Sequence, residues 1–328
     1  MAAVRPRIIS TGQCLPDKVL TNIDLEDMMD TTDEWIRQRT GIAQRHMVDN
    51  GQTLSDLAAG AAKQAMDRAG ITSSDIDFVL CSTMTADYLF PSAACLVQDR
   101  LGAKRAGAAD LNAACSGFVY GLQMADGLIR SGIHKTILVI GAEVMSCRLD
   151  WGKRNTAVLF GDGAGAVVVR ADTSDRGILS TYTRSDGGDY ELIYVPAGGS
   201  KTTLTPDNIN HVERSIVMDG RGLYKRAVHA FGEAVEEALK AAEVAADDLT
   251  LFIPHQANKR IIDAAAERIG LPSEKIYMNL DRVANTSAAS IPIALDDAVC
   301  EGRLKENDLL LLAAFGAGLT WAGSVLRW

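Results

Sequence analysis

The sequence predicts an α/β fold made of two similar halves, 1–175 and 176–328, and three observations support it. Short apolar runs of strand length alternate with helical stretches along nearly the whole chain. The order of elements in the first half recurs in the second. Each half also closes with a glycine-rich turn between apolar runs: Phe160-Gly-Asp-Gly-Ala-Gly in one, Phe315-Gly-Ala-Gly in the other. A repeated order with a repeated ending indicates internal duplication about a pseudo-twofold axis.

In the first half, Thr53 can cap a helix that runs to Ala69 and stops at Gly70. The run 76–82 is a strand buried on both faces. Pro91 suits the first turn of a helix ending near Gly102. A strand at 106–111, a long helix at 115–131 and a strand at 136–140 follow. The second half gives a helix at 223–242, a strand at 251–254 and a helix at 257–269. After these come a strand near 276–278, a helix at 285–300 and a strand at 309–314. The helices opening at Cys115 and Asn285 are nearly free of charge. They are therefore expected at the centre, with their N-termini facing an enclosed site.

Composition narrows the function. The chain has 328 residues, 47% of them hydrophobic and 23% charged, which fits a large globular core rather than a disordered or fibrous protein. No run approaches the roughly 18–20 apolar residues of a membrane span, and no signal-peptide pattern opens the chain, so the expected location is the cytoplasm. A net charge of −9 argues against nucleic acid as a partner. None of the six cysteines forms a Cys-x-x-Cys pair, so no metal site is expected.

Cys115 follows a strand and begins a helix among small neighbours. The positive end of the helix dipole there favours thiolate, and the Cys115 N–H is free to donate to an oxyanion. A buried structural cysteine is the alternative. His255 ends the strand 251–254, at the kind of junction where α/β folds place functional groups, though a hydrogen-bonded structural histidine fits equally. Asn285 serves as a helix N-cap or as a neutral amide donor. His46, His134, His211 and His229 are taken as surface or core residues. Three such groups on three strand-to-helix junctions of a duplicated fold are hard to dismiss together.

The chain resembles the thiolase-like condensing enzymes, specifically the β-ketoacyl-acyl-carrier-protein synthase III family. The resemblance rests on Thr32-Asp-Glu-Trp-Ile36, Arg39-Thr-Gly-Ile42, Phe90-Pro-Ser-Ala-Ala-Cys95, Ala113-Ala-Cys-Ser-Gly117, Phe160-Gly-Asp-Gly-Ala164, Pro254-His-Gln-Ala-Asn258, Asn285-Thr-Ser-Ala-Ala-Ser290 and Phe315-Gly-Ala-Gly-Leu-Thr-Trp321. It implies a five-layered α-β-α-β-α thiolase-like fold and a homodimer. The implied reaction condenses a short acyl-CoA primer, acetyl-CoA first, with malonyl-acyl-carrier protein, initiating fatty acid synthesis. Polyketide priming or simple acyl transfer are the alternatives within the fold. Papain-type hydrolysis is disfavoured because the Cys-Gly-Ser/Ala-Cys context is absent.

By this resemblance Cys115 carries the acyl group, His255 and Asn285 assist decarboxylation, and the N–H groups of Cys115 and Ala317 form the oxyanion hole. Trp35 and Arg154 sandwich the CoA adenine, Thr31 and Arg39 contact the nucleotide, and Asn258 contacts the pantetheine arm. Met84, Met145 and Phe160 line the acyl pocket, with Phe90 reaching it from the partner subunit. Lys225, Arg226, Lys259 and Arg260 receive the acidic carrier protein. CoA enters as a substrate thioester, and no cofactor is implied. Three positions depart from the family pattern: Ala317 and Ala284 stand for glycines, and Arg221 for an asparagine that touches CoA.

Overall fold

The computed structural model describes residues 4–328. A five-stranded sheet runs in the order Arg5–Cys14, Asp162–Asp172, Thr136–Val144, Phe78–Ser82, Gly107–Leu111. Its last three strands are parallel, and its first two pair antiparallel. A four-stranded sheet runs Leu251–Pro254, Leu309–Gly316, Thr320–Arg327, Gly177–Ser185. It repeats the pattern of the first sheet, with a parallel pair followed by antiparallel strands. The place of the fifth strand is taken by a single parallel bridge between Phe252 and Ile276, so the predicted strand near 276–278 is reduced to one contact.

The helices Gly117–Arg130 and Ser290–Cys300 lie between the sheets. Phe118, Leu122 and Ile129 from one, and Ile291, Leu295 and Ala298 from the other, share a core with Val139 and Val167 of the first sheet and Leu310 and Leu312 of the second. Helices Leu54–Ala69 and Ala93–Arg100 cover the outer face of the first sheet, through Leu57, Ala61 and Val97 against Val79 and Val168. Helices Gly220–Ala242 and Lys259–Ile269 cover the second, through Phe231 and Val235 against Phe252 and Leu311. The result is the expected α-β-α-β-α stack. Apolar residues on both faces of the inner strands are what a sheet covered on both sides requires.

The local signals of the outer helices hold. Thr53 and Asp56 form a reciprocal capping box, and Gly70 ends that helix at φ 64°. Other boundaries move. Pro91 lies ahead of its helix, which Ser92 caps at 93–100. Neither Cys115 nor Asn285 opens an α-helix. Each lies at a three-residue 3₁₀ turn, 114–116 or 287–289, and the helices proper begin at Gly117 and Ser290.

The segment Gly161–Gly165 is not a turn. Its residues from Asp162 onward belong to the eleven-residue strand Asp162–Asp172. The glycines are there for close approach: a Cβ on Gly161 would sit 2.6 Å from the Val283 carbonyl, and one on Gly165 2.6 Å from the Ile293 nitrogen. No helix among the described residues is long and apolar enough to cross a membrane.

Candidate active site

Cys115, His255 and Asn285 line one cavity of about 700 Å³. All three are almost closed off from solvent, at 8%, 2% and 7% exposure, so their chemistry takes place in a low-dielectric environment. Cys115 and His255 follow strand ends, whereas Asn285 follows the short helix Leu280–Val283 rather than the expected strand, and the two halves clamp each other to bring the three together. Thr320 of the second half donates its hydroxyl to the Ala113 carbonyl at 2.9 Å, and Ser116 donates to the Thr320 carbonyl at 3.1 Å. Reciprocally, Asn285 N–H donates to Leu159 O at 3.0 Å, and Gly161 N–H to Asn285 O at 3.1 Å. Gly316 packs so tightly on the nucleophile's backbone that a Cβ there would lie 2.7 Å from Cys115 N.

The Ser287 hydroxyl and the N–H groups of Cys115 and Ala317 lie near enough to the Cys115 thiol to favour its ionised form. Backbone donors beside the reacting sulfur are within reach of an acyl oxygen held next to it, which is where an oxyanion hole needs them. Ala317 is not among the residues with positive φ, so its Cβ meets none of the backbone strain that favours glycine. Ala284 differs: at φ 58° and ψ −161° it occupies a region that favours glycine.

Electrostatics correct one expectation. The thiol is not held as thiolate in the resting site, because burial pushes Cys115 up to about 11, against partial relief from Ser287 and the two N–H groups. Only one residue of 3₁₀ turn separates it from Gly117, but desolvation outweighs the local dipole. Burial also pushes His255 down to about 3, so its imidazole is neutral. Its Nδ1 lies 2.6 Å from Ser290 Oγ, which already accepts the Gln256 N–H at 3.3 Å. A Ser290 hydroxyl donating to Nδ1 places the ring proton on Nε2, and the direction of this bond follows the tautomer. Asn285 is not an N-cap. Its Oδ1 accepts the Ser287 N–H at 2.9 Å, and its amide N–H groups have no partner within the described chain.

The other predicted residues separate into groups. Trp35, Arg39 and Arg154 do cluster, with the guanidinium carbons 5.2 and 4.9 Å from the indole centroid. Trp35 and Arg154 thus stack on each other; an adenine between them needs roughly 7 Å, twice a van der Waals contact. Thr31 Oγ1 is buried without a hydrogen-bond partner and lines neither cavity. Asn258 lines the cavity, caps the Lys259–Ile269 helix and donates to Arg39 O at 3.1 Å.

Met145 and Phe160 share an apolar cluster with Met84, and Met84 and Met145 line a second cavity of about 520 Å³ that meets the first at Ala317. Phe90 lies in neither cavity and is 86% exposed, beside exposed Tyr88 and Leu89. The basic patch is thinner than expected. Arg226 pairs with Asp186 and Asp189, and Lys259 with Asp263, while Arg260 stacks on Tyr224 and Lys225 lines the cavity mouth. Sequence reasoning missed Glu143, Ser287 and Ser290, all buried against the catalytic groups.

Known proteins give the same picture. Family models for 3-oxoacyl-acyl-carrier-protein (ACP) synthase III match residues 109–187, and for its C-terminal part residues 239–328. The chain is 51% identical over 322 residues to a β-ketoacyl-acyl-carrier-protein synthase III of Xanthomonas campestris, covering 98% of both chains. It is 47% identical to that of Caldanaerobacter subterraneus, over 98% of this chain and 97% of the relative. The crystal structure of 3-oxoacyl-acyl-carrier-protein synthase III from Aquifex aeolicus superposes with a TM-score of 0.92 at 46% identity, covering 98% of this chain and all of that one. The priming β-ketosynthase of the R1128 polyketide pathway superposes with a TM-score of 0.92 at 33% identity, covering 100% and 97%. With near-complete coverage at this identity, a duplicated fold of matching topology and a buried cysteine at the meeting point of its halves, the chain belongs to the β-ketoacyl-acyl-carrier-protein synthase III family of condensing acyltransferases.

Proposed function

We propose that the chain condenses a short acyl-CoA primer, acetyl-CoA above all, with malonyl-acyl-carrier protein, through an acyl-Cys115 intermediate. The observation that carries this is the convergence of the Cys115 sulfur, two backbone N–H groups, a neutral imidazole and an unpartnered amide in one enclosed cavity. Cys115 attacks the primer thioester, and the tetrahedral oxyanion rests on the N–H groups of Cys115 and Ala317. CoA departs and the malonyl thioester enters. His255 Nε2–H and the Asn285 amide donate to its carbonyl, stabilising the enolate left by loss of CO2. That carbon attacks the acyl-Cys115 and releases the 3-oxoacyl product. Decarboxylation generates the carbanion directly, so the chemistry calls for no cofactor or metal. Neutral donors suit a step that builds negative charge and must not protonate the enolate carbon.

In this reading the nucleotide of CoA rests on Trp35, Arg154, Arg39 and Thr31, and its pantetheine arm passes Asn258. The carrier protein meets Lys225 and Arg260 at the mouth, with Arg226 and Lys259 available only by leaving their carboxylates. The exposed Tyr88-Leu89-Phe90 run forms part of a homodimer interface and delivers Phe90 to the partner's acyl pocket; the enzyme works in the cytoplasm. A second reading, polyketide priming with a longer starter, is favoured by the likeness to the R1128 enzyme and by the 520 Å³ space beyond Met84 and Met145.

Intact-mass measurement with a panel of acyl-CoAs separates the two. An acetyl adduct on Cys115, absent in Cys115→Ala and discharged with CO2 release only on adding malonyl-carrier protein, is the expected result. A clear preference for longer starters selects the second reading. Discharge to water at the same rate without the malonyl partner overturns both.

A further inference from the structure

Behind the sulfur lies a carboxyl that the condensation chemistry above leaves unused. Glu143, near the end of the strand Thr136–Val144, is fully buried. Its Oε1 accepts the Ser287 hydroxyl at 3.2 Å, and its Oε2 accepts the hydroxyls of Thr83 and Thr85; the Met84 N–H reaches both oxygens at 3.3 Å. Ser287 in turn lies beside the Cys115 thiol and favours its ionised form. Ser287 sits at φ 49°, a left-handed conformation uncommon for serine, and occupies the first position of its 3₁₀ turn. From the Ser287 hydroxyl beside the Cys115 thiol, a hydrogen bond thus leads to the Glu143 carboxylate and into the protein. It points away from the CoA cavity, whose walls include neither Ser287 nor Glu143.

We propose that Ser287 is a further catalytic residue, which takes the Cys115 thiol proton during acylation and passes its own to Glu143, the positioning residue that orients it and holds the charge. The inference rests on the acyl-Cys115 reading. In acylation the S–H bond of Cys115 breaks, Ser287 Oγ gains that proton and releases its own to Glu143, and sulfur forms its bond to the thioester carbon. The C–S bond to CoA then breaks, and the CoA thiolate takes a proton from water. In condensation the enolate carbon displaces Cys115, and the expelled thiolate regains its proton from Glu143 through Ser287. Over the cycle one proton is consumed, ending on CoA.

The environment suits this role. Among the described residues, no lysine, arginine or histidine is hydrogen-bonded to Glu143. The titratable groups near it are the thiols Cys81, Cys115 and Cys147, with the carboxylates Asp87 and Asp110 beyond Cys81, and Asp162 and the Arg148 guanidinium beyond Cys147. Burial pushes Glu143 up to about 7, against the four donors, so it can both accept and return a proton near neutrality. The neutral resting thiol, held up by the same burial, needs such an acceptor.

The test is single-turnover acylation by acetyl-CoA across pH 5.5–10.5 for wild type, Glu143→Gln, Glu143→Asp and Ser287→Ala, with iodoacetamide alkylation of Cys115 as a substrate-free readout. Ala114 holds φ 46° at the matching position of the first half, so alanine is compatible with the Ser287 backbone. Near pH 7, Glu143→Gln and Ser287→Ala should acylate about 100-fold more slowly, within the range of general acid–base catalysis. The gap should close toward pH 10.5, where the thiol ionises unaided, and Glu143→Asp should restore part of the rate.

Folding is checked separately. Because the folded carboxyl titrates near 7, above the usual 4.5, the native state loses stability as pH rises through that interval. Glu143→Gln removes that loss and should melt no lower than wild type at pH 8. Wild-type rates and profiles in both variants overturn the relay, as does a uniform slowing with an unchanged pH profile. A wild type that forms no acyl adduct overturns the acyl-Cys115 reading itself.

Discussion

In the first half the chain runs Asn112-Ala-Ala-Cys-Ser-Gly117 into its buried helix; in the second it runs Asn285-Thr-Ser-Ala-Ala-Ser290 into the matching one. Each asparagine accepts, through Oδ1, the backbone N–H two residues on: Ala114 at 3.3 Å and Ser287 at 2.9 Å. Each is followed by a residue at φ 46–49° and a three-residue 3₁₀ turn. In this register Asn285 matches Asn112, and Cys115 matches Ala288. The duplication kept the backbone device and placed its reactive groups at different offsets: a thiol within the turn on one side, an amide before it on the other. Facing each other across the pseudo-axis, the offset pair presents a nucleophile and a donor to one substrate, where a strict repeat would present two copies of one group.

The largest test of that comparison removes each asparagine. Asn285→Ala deletes a donor to the malonyl carbonyl, and we expect malonyl decarboxylation to fall about 10²–10³-fold, the usual loss for one oxyanion donor. Asn112→Ala deletes only the turn bond. It should lower stability by about 1 kcal/mol and slow decarboxylation less than tenfold. Carbon dioxide release and urea unfolding measured side by side decide it. Equal kinetic losses would mean that both asparagines are purely structural, and the division of labour would fail.

A second test uses the glycines that let each half receive the other's turn. A Cβ on Gly141 would sit 2.2 Å from the Ala288 carbonyl, and one on Gly316 2.7 Å from Cys115 N. Gly141→Ala and Gly316→Ala should each lose about 1–3 kcal/mol by overpacking. Their kinetic effects should diverge: Gly316→Ala displaces the nucleophile and slows acylation, while Gly141→Ala displaces the turn after Asn285 and slows decarboxylation. Identical effects on the two half-reactions would show that the turns move as one body.

What was legible in the sequence follows from which interactions are local. The outer helices carry their own caps, so Thr53 and Gly70 marked one of them correctly. Cys115 and His255 could be singled out because strand-to-helix junctions are visible in the hydrophobic pattern, while Asn285 was found with the junction misplaced, since the helix Leu280–Val283 precedes it. The glycines at 161, 163 and 165 were misread as a turn because their reason is non-local; they make room for residues more than a hundred positions away. Glu143 gave no signal, since it lies in an apolar run and its partners come from residues 83–85 and 287. The direction of the thiol's shift was missed for the same reason: local dipole is readable from sequence, but burial is set by both halves together.

The smallest effect tests how the backbone of each half leads into its asparagine. Leu111 ends a regular strand, so Asn112 is reached without strain. Ala284, its counterpart, follows the short helix Leu280–Val283 at φ 58° and ψ −161°, where a Cβ is poorly tolerated, and is fully buried. Here two effects oppose. Glycine relieves backbone strain of order 1–3 kcal/mol, yet raises the entropy of the unfolded chain by roughly 0.5–1 kcal/mol. Strain relief outweighs the entropy cost, and burying one methyl less offsets part of the gain. Ala284→Gly should therefore gain about 1 kcal/mol in urea unfolding with both half-reactions unchanged, while Leu111→Gly should lose stability because that strand has no strain to relieve. A loss in both would show that the Ala284 methyl packs better than its backbone angle costs, and that the two lead-in segments differ in packing rather than in strain.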